Sequence, residues 1–468
     1  MTKKAIIIGG GIAGLAAAHR LAELDRTRDI LLLEAESRFG GLIETSARDG
    51  FLMESGPDAF ISEKPWALEL CRRLGLDGEL IPTRETSRRS FIYSGGKLHP
   101  VPEGFYMVAP SSFAALVKTR FLSWKAKFRM AMELCIPPRK DESDESVTSF
   151  IRRRFGSEAL ERLGQPMIAG IYTADPENLS MQSALPQLWQ LEKKYGSVIR
   201  GLRHGANGGL QDARRASGPR YSLFMSLKNG LQTLVDALAA SMPPGCLKAS
   251  SRVEGIERIA QGWQIRLDQG DIFAADAICL ALPAHHAVRL LKRCASDVAE
   301  CLSCIPYESV ATVNAAYRRG DIPRSMAGFG FVIPAVEKKG IIGCTFSSVK
   351  FPGRAQNDGD VLLRAFVGGA LNREAMAMDD QAMQSMVLEH FRECLGIEAV
   401  PLFVSIKRFY QAMPQYRVGH AKLVEKIEER LKNYPGLYLT GNAYRGIGLP
   451  DVIHHAEETA ERMIHERL

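Results

Sequence analysis

Few junctions constrain a fold as tightly as the one that opens this chain, where the apolar run Ala5-Ile6-Ile7-Ile8 passes straight into Gly9-Gly10-Gly11-Ile12-Ala13-Gly14. An apolar strand breaks into glycine and then starts a helix. Gly9 permits the sharp turn, Gly11 lets backbone N–H groups close on phosphate oxygens, and Gly14 lets the helix pack tightly on the strand. The helix N-terminus then faces the anion with the positive end of its dipole. Ile30-Leu31-Leu32-Leu33 reads as the second parallel strand and ends at Glu34, 20 residues after Gly14. A carboxylate there can accept hydrogen bonds from an adenosine ribose. The spacing predicts a βαβ unit holding a dinucleotide.

The next segment narrows the nucleotide to a flavin. Arg38-Phe39-Gly40-Gly41 offers a guanidinium for phosphate or ribose and two glycines along which a ligand can lie. A strand-like stretch, Phe51 to Glu54, then leads to Gly56-Pro57. Near the other end, Leu437-Tyr438-Leu439-Thr440 runs into a glycine-rich turn from Gly441 to Pro450, and a helix from Asp451 to Met463 follows. Two anion-ready corners so far apart in sequence fit an extended cofactor gripped at its middle and at its ring.

At 468 residues the chain exceeds one typical core and should divide into two or three domains. The hydrophobic share of 46% and charged share of 24% are those of an ordinary globular protein. A net charge of +7, from 60 basic and 53 acidic residues, is too mild to suggest nucleic acid. No apolar run approaches the roughly 18 residues of a spanning helix. Met1-Thr2-Lys3-Lys4 leads directly into the first strand, so a cytoplasmic location is expected. The nine cysteines are scattered and read as reduced thiols. Cys301-x-x-Cys304 lacks a second pair, His285-His286 and His454-His455 lack carboxylates at ligand spacing, and no metal is assigned.

The layout is interrupted. A Rossmann-like FAD-binding domain with a parallel sheet is expected from residues 1–85, 221–297 and 406–468, a helical subdomain from 86–220, and a mixed or antiparallel-sheet substrate domain from 298–405. Strand-like runs at 311–317, 330–333, 341–346 and 361–367 supply that second sheet. Within the helical segment, helices are expected at 146–155 and 157–163, and residues 193–220 read as a mobile loop. Phe113, Val117, Phe121, Trp124, Phe128 and Met132 recur every three or four residues as one helix face, with Lys118, Arg120, Lys125, Lys127 and Arg129 around them. Such a stretch can lie in a bilayer interface or pack into its own domain.

Taken together, GGGIAGLAAA, EAESRFGG, the Gly56-Pro57 of MESGPDAF, GIYTADPENLSM at 170–181 and GNAYRGIGLPD at 441–451 resemble the FAD-dependent, oxygen-dependent protoporphyrinogen oxidases of haem synthesis. The first and last motifs are shared with amine oxidases and phytoene desaturases. Gly170-Ile171-Tyr172 with Asp175-Pro176, Gly328-Phe329-Gly330 and Met413-Pro414-Gln415-Tyr416 are more specific. The resemblance implies FAD held by Gly9, Gly10, Gly11, Ile12, Ala13 and Gly14 at the pyrophosphate, Glu34 and Ala35 at the ribose, and Arg38, Gly41 and Leu42 along the chain. It sets Gly56, Pro57, Asp58 and Ala59 near the isoalloxazine, Val253 at the adenine, and Asn442, Leu449, Pro450 and Asp451 at the flavin end. Tyr410 stands where the family often has a tryptophan.

The implied substrate is a porphyrinogen, which loses six electrons to become a planar porphyrin. Flavin N5 carries the chemistry and oxygen accepts the electrons, giving hydrogen peroxide. Gly170, Phe329, Val332 and Phe366 would wall the pocket. The family arginine before Phe91-Ile92-Tyr93 falls on Ser90, so Arg89, or Arg88 beside it, is the candidate for a propionate. Protoporphyrinogen IX is the first expectation and coproporphyrinogen III the alternative. A membrane surface and neighbouring haem-pathway enzymes are the implied partners. A flavin amine oxidase, a carotenoid desaturase, or a flavin-free binding protein like the GDP dissociation inhibitors would use the same framework. Bound flavin and turnover of porphyrinogen separate these readings.

Overall fold

The computed structural model describes residues 3–84, 89–204, 224–357 and 359–466. Lys4–Ile8 forms the centre of a five-stranded sheet in the order Leu247–Lys248, Asp29–Leu33, Lys4–Ile8, Ala277–Leu280 and Leu437–Leu439, and every pairing is parallel. A parallel sheet must be covered on both faces, which is why these strands are almost uniformly apolar. The helix Ile12–Leu24 covers one face and packs along the closing helix Leu449–His465. The other face lies under the three-stranded sheet Val253–Arg258, Trp263–Leu267 and Ile272–Ala275, together with helices Ala284–Leu291 and Ser296–Ser303. Strands from three distant parts of the chain thus share one ladder.

The second sheet has seven strands in the order Phe403–Pro414, Tyr307–Arg318, Asp360–Gly368, Ile341–Phe346, Gly330–Val332, Ser90–Ser94 and Lys97–Pro100. All neighbours are antiparallel except Gly330–Val332 with Ser90–Ser94, so the sheet is mixed. Both of its ends reach outside the expected range of 298–405. The hairpin at 90–100 was expected in the helical segment, and the strand Phe403–Pro414 straddles the expected boundary at 406. Backbone pairing to strands far along the chain recruits both, and local pattern carries no trace of that.

The helical segment differs from expectation at two places. The apolar stripe is not one helix: Phe113–Lys118 and Trp124–Ala131 are separate, capped by Ser112 and Ser123, whose side chains accept from Ala115 N–H and Ala126 N–H. The break rotates Phe121 into the core at 6% exposure and leaves Trp124 and Phe128 outside at 70% and 71%. Of residues 193–220, expected as a loop, 193–195 end the helix Pro186–Tyr195 and 198–204 form the helix Val198–His204, while 205–220 lie outside the described residues. That helix starts where Glu133 accepts from Val198 N–H at 2.9 Å, placing a buried carboxylate against a helix N-terminus.

Glu133 is itself held by Arg154, both fully buried. Arg154 also donates to the carbonyls of Ile136 at 2.9 Å and Gly196 at 3.2 Å. One guanidinium therefore ties together three segments of the helical region. Removing one partner of such a pair strands the other charge without water, at a cost of about 3–5 kcal/mol. Arg154→Met is expected to lower the thermal unfolding midpoint sharply, whereas Arg152→Met, on an exposed pair with Glu177, should leave it nearly unchanged. Differential scanning calorimetry of the two variants checks this.

Candidate functional site

The carboxyl ends of the parallel strands open into a cavity of about 1120 Å³, roofed by the large sheet and the helix Gln165–Tyr172. Ligand sites commonly measure roughly 300–1,000 Å³. This one has room for an extended dinucleotide and a second flat molecule.

At the first corner Gly9 has φ +108° and its N–H donates to the Leu33 carbonyl at 2.8 Å. A Cβ on Gly14 would lie 1.9 Å from the Gly9 carbonyl oxygen, so Gly14 is required by the fold itself. Gly11 is different. A Cβ there would meet nothing closer than the Gly41 Cα at 4.0 Å, and it would project into the cradle that a pyrophosphate needs. The residues present fit FAD at this point. Gly10 lies behind the wall, filled by Phe39 and Glu34, and its N–H donates to Glu34 Oε2 at 2.6 Å. Glu34 Oε1 accepts from Glu36 N–H at 2.8 Å. Each carboxylate oxygen keeps a second lone pair for a ribose hydroxyl.

Arg38 does not face the cavity. Its guanidinium donates to the carbonyls of Ile43 at 2.9 Å and Gly41 at 2.6 Å. It braces the loop that carries Gly41 and Leu42, because that loop turns two carbonyls toward the partly exposed guanidinium.

The Gly56 loop is pinned from behind by the large sheet. Thr312 Oγ1 donates to the Ser55 carbonyl at 2.8 Å, and Arg364 Nη1 donates to the Glu54 and Gly56 carbonyls at 3.2 and 2.8 Å. A Cβ on Gly56 would sit 1.9 Å from the Leu42 carbonyl oxygen. Beside this loop, Lys350 Nζ reaches both oxygens of Asp58 at 3.0 and 2.9 Å, and Arg364 approaches the same carboxylate at 3.2 Å. Burial alone would raise the Asp58 carboxyl, but Lys350 and Arg364 hold it well below the usual carboxylate range. Burial lowers Lys350 against the pull of Asp58. Burial also raises Glu54, against the hydrogen bond from Thr45 and the charge of Arg354.

At the distant corner Gly441 has φ +129° with open space where a side chain would be. Tyr416 donates to the Asn442 carbonyl at 2.6 Å, and its ring stacks on His420 at 4.0 Å. The helix beginning at Leu449 carries Pro450 in its first turn, followed by Asp451, which pairs with Lys64 at 2.5 Å. Gly446 and Gly448 lie against Asp451, which leaves the helix start accessible from the cavity. The opposite half of the cavity is apolar, with Gly170, Phe329, Val332 and Phe366 on its wall.

Of the residues expected at the site, Gly9, Gly11, Ile12, Ala13, Glu34, Ala35, Gly41, Leu42, Gly56, Pro57, Asp58, Ala59, Val253, Tyr410, Asn442, Leu449, Pro450 and Asp451 line this one cavity, as do the four expected substrate residues of its apolar half. Tyr410 is at the rim, 65% exposed. Arg89 is the exception on the substrate side: it is exposed, and Ser90 lines the wall in its place. The strand Ser90–Ser94 alternates, so the residue before an inward Ser90 points away. Arg88 lies outside the described residues. Lys350, Arg364 and Thr312 were not anticipated, and Tyr416 was read only as part of the 413–416 motif, without a role at the site. An arginine inside Leu362-Leu363-Arg364-Ala365-Phe366, an otherwise apolar buried strand, is the one local signal that could have been followed.

Comparison with known proteins agrees with this geometry. The family described as flavin containing amine oxidoreductase matches residues 12–464. A coproporphyrinogen III oxidase of Bacillus subtilis (strain 168) is 33% identical, covering 96% of each chain. A protoporphyrinogen oxidase of Bos taurus is 30% identical over 99% of each. A solved structure from Exiguobacterium sp. 255-15 superposes with a TM-score of 0.88 at 31% identity over the full length of both chains. Because Gly11 and Gly14 differ in what surrounds them, Gly11→Val is expected to give folded protein lacking FAD, and Gly14→Val to lose the fold. Circular dichroism and the flavin absorbance of the purified variants check both.

Proposed function

Since the chain belongs to the flavin-containing amine oxidoreductase family, and within it to the porphyrinogen oxidases, we propose that it oxidises protoporphyrinogen IX to protoporphyrin IX late in haem synthesis. Bound FAD supplies the two-electron acceptor, and three rounds with oxygen as final acceptor remove six electrons and yield hydrogen peroxide. The observation that carries the reading is the single cavity in which a dinucleotide cradle meets an apolar half large enough for a flat macrocycle. The glycines at 9, 11 and 441 admit the cofactor backbone, and Glu34 takes the ribose. Asn442, Leu449 and Pro450 bound the ring end. Gly170, Phe329, Val332 and Phe366 exclude water and hold the macrocycle by its faces.

The charges of the cavity favour a substrate with few carboxylates. Among the described cations on its wall, Lys350 and Arg364 are tied to Asp58, Lys64 to Asp451 and Arg252 to Glu36, which leaves Arg289 alone without an ion pair. Protoporphyrinogen IX carries two carboxylates and coproporphyrinogen III four. The Bacillus relative, more similar than the bovine one, favours the second reading. Anaerobic mixing with each porphyrinogen is the test, with protoporphyrinogen IX expected to bleach the flavin at least tenfold faster. Faster bleaching by coproporphyrinogen III reverses the assignment, and bleaching by neither removes the porphyrinogen reading.

An apolar substrate suits a protein that works at a membrane surface from the cytoplasmic side, beside neighbouring haem-pathway enzymes. Among the described residues no helix is long and apolar enough to cross a membrane. Peripheral contact is supported by Phe113, Val117, Trp124, Phe128 and Met132, exposed among the exposed cations Lys118, Arg120 and Lys125. Co-sedimentation with anionic phospholipid vesicles is expected for the unmodified protein and reduced at least fivefold for the double variant Trp124→Ser, Phe128→Ser. Equal sedimentation of the two would exclude this face.

A further inference from the structure

Behind the Gly56 loop five charged side chains meet out of contact with bulk water. Lys350, Arg354 and Arg364 are 7%, 1% and 3% exposed, and Glu54 is 4% exposed. The Asp58 side chain is 15% exposed and lines the cavity. Three cations face two carboxylates, leaving a surplus of one positive charge when both carboxylates are ionised. Burying an uncompensated charge is costly, and folds keep one where something else balances it.

The members are not equivalent. Arg354 is engaged inside the protein, donating to Ser226 Oγ at 2.8 Å and to the carbonyls of Leu227 and Lys228 at 3.1 and 3.0 Å, and it lies 3.7 Å from Glu54. Lys350, Arg364 and Asp58 are on the cavity wall. Arg364 Nε is buried without a hydrogen-bond partner, as is Oδ1 of Asn314 on the neighbouring strand. Aromatic rings surround the cations: Lys350 lies 5.1 Å from Phe224 and 5.2 Å from Phe351, and Arg364 lies 4.9 Å from Phe366. In this low-dielectric setting a net charge acts over a longer distance than it would in water.

We propose that the Lys350–Asp58–Arg364 cluster is a built-in positive charge that favours reduction of the bound flavin, by stabilising the negative charge the ring gains when it accepts electrons. The proposal rests on the flavin reading above. Lys350 supplies the adjustable charge. Arg364 and Asp58 position it, since Arg364 also carries the Gly56 loop and Asp58 holds Nζ with both oxygens. The effect is electrostatic preorganisation: the charge is in place before electrons arrive, and no rearrangement is needed at that moment.

Sulfite is the probe. Its sulfur lone pair forms a bond to an electron-poor flavin ring, the ring takes up the negative charge, and the visible absorbance is lost without turnover. Lys350→Met, which removes the surplus charge, is expected to keep its flavin and to weaken sulfite binding at least tenfold. Lys350→Arg should restore binding to within threefold of the unmodified protein. Asp58→Asn, which adds one net positive charge, should tighten sulfite binding at least threefold. Opposite shifts from two neighbouring residues are the signature of charge, because loosening of the site would move both the same way. The proposal is overturned if the Met and Asn variants shift in the same direction or if neither shifts by more than twofold. Should Lys350→Met fail to fold, Asp58→Asn decides alone, tightening supporting the proposal and any other result overturning it. An unmodified protein that holds no FAD overturns the flavin reading and this proposal together, whereas stoichiometric flavin with unchanged sulfite affinity overturns the proposal only.

Discussion

The docking of the Ser55–Gly56–Pro57 loop onto the large sheet is the constraint from which the rest of the site follows. Thr312 and Arg364 take its carbonyls from one side, and the Leu42 carbonyl crowds Gly56 from another. A buried backbone must satisfy its polar groups, so this loop can adopt few other shapes. By satisfying them from the second sheet, the chain fixes the distance between its nucleotide cradle and its apolar pocket. The charged side chains behind the loop then have no escape to water and must balance one another in place.

A similar principle organises the helical segment. Glu133 and Arg154 are buried among apolar side chains, and their mutual pairing is weak evidence for net stability. What the pair supplies is specificity of arrangement. Glu133 caps the helix Val198–His204, and Arg154 ties that helix to the carbonyls of Ile136 and Gly196. The segment is therefore a defined body even though its outer face, at Trp124 and Phe128, is unusually apolar. Core burial and the exposed face are both set by the short interruption at 119–123, which separates inward from outward aromatics.

How far the sequence could be read depended on the range of the forces involved. Both glycine corners, the strands of the parallel sheet and the closing helix announce themselves within a few residues, because turn geometry and apolar runs are local properties. Cofactor-side residues named from those motifs line one cavity almost without exception. Arg38 and Arg89 went otherwise because a long side chain chooses among partners brought by other segments: loop carbonyls for Arg38, solvent for Arg89. The hairpin at 90–100 joined the large sheet through a parallel pairing with residues 330–332, more than 200 positions later in the chain. No periodicity within either segment encodes that partner.

The amino-acid order by itself determined that this chain binds an extended nucleotide, since glycines at 9, 11 and 14 after an apolar strand admit few alternatives. Only the tertiary structure decided where charge lies relative to that nucleotide. Asp58 lies hundreds of residues before Lys350 and Arg364 and becomes their neighbour when two sheets close on one loop. Local sequence sets which conformations a backbone can take, whereas the field inside a cavity is the sum of charges that only the folded packing brings together.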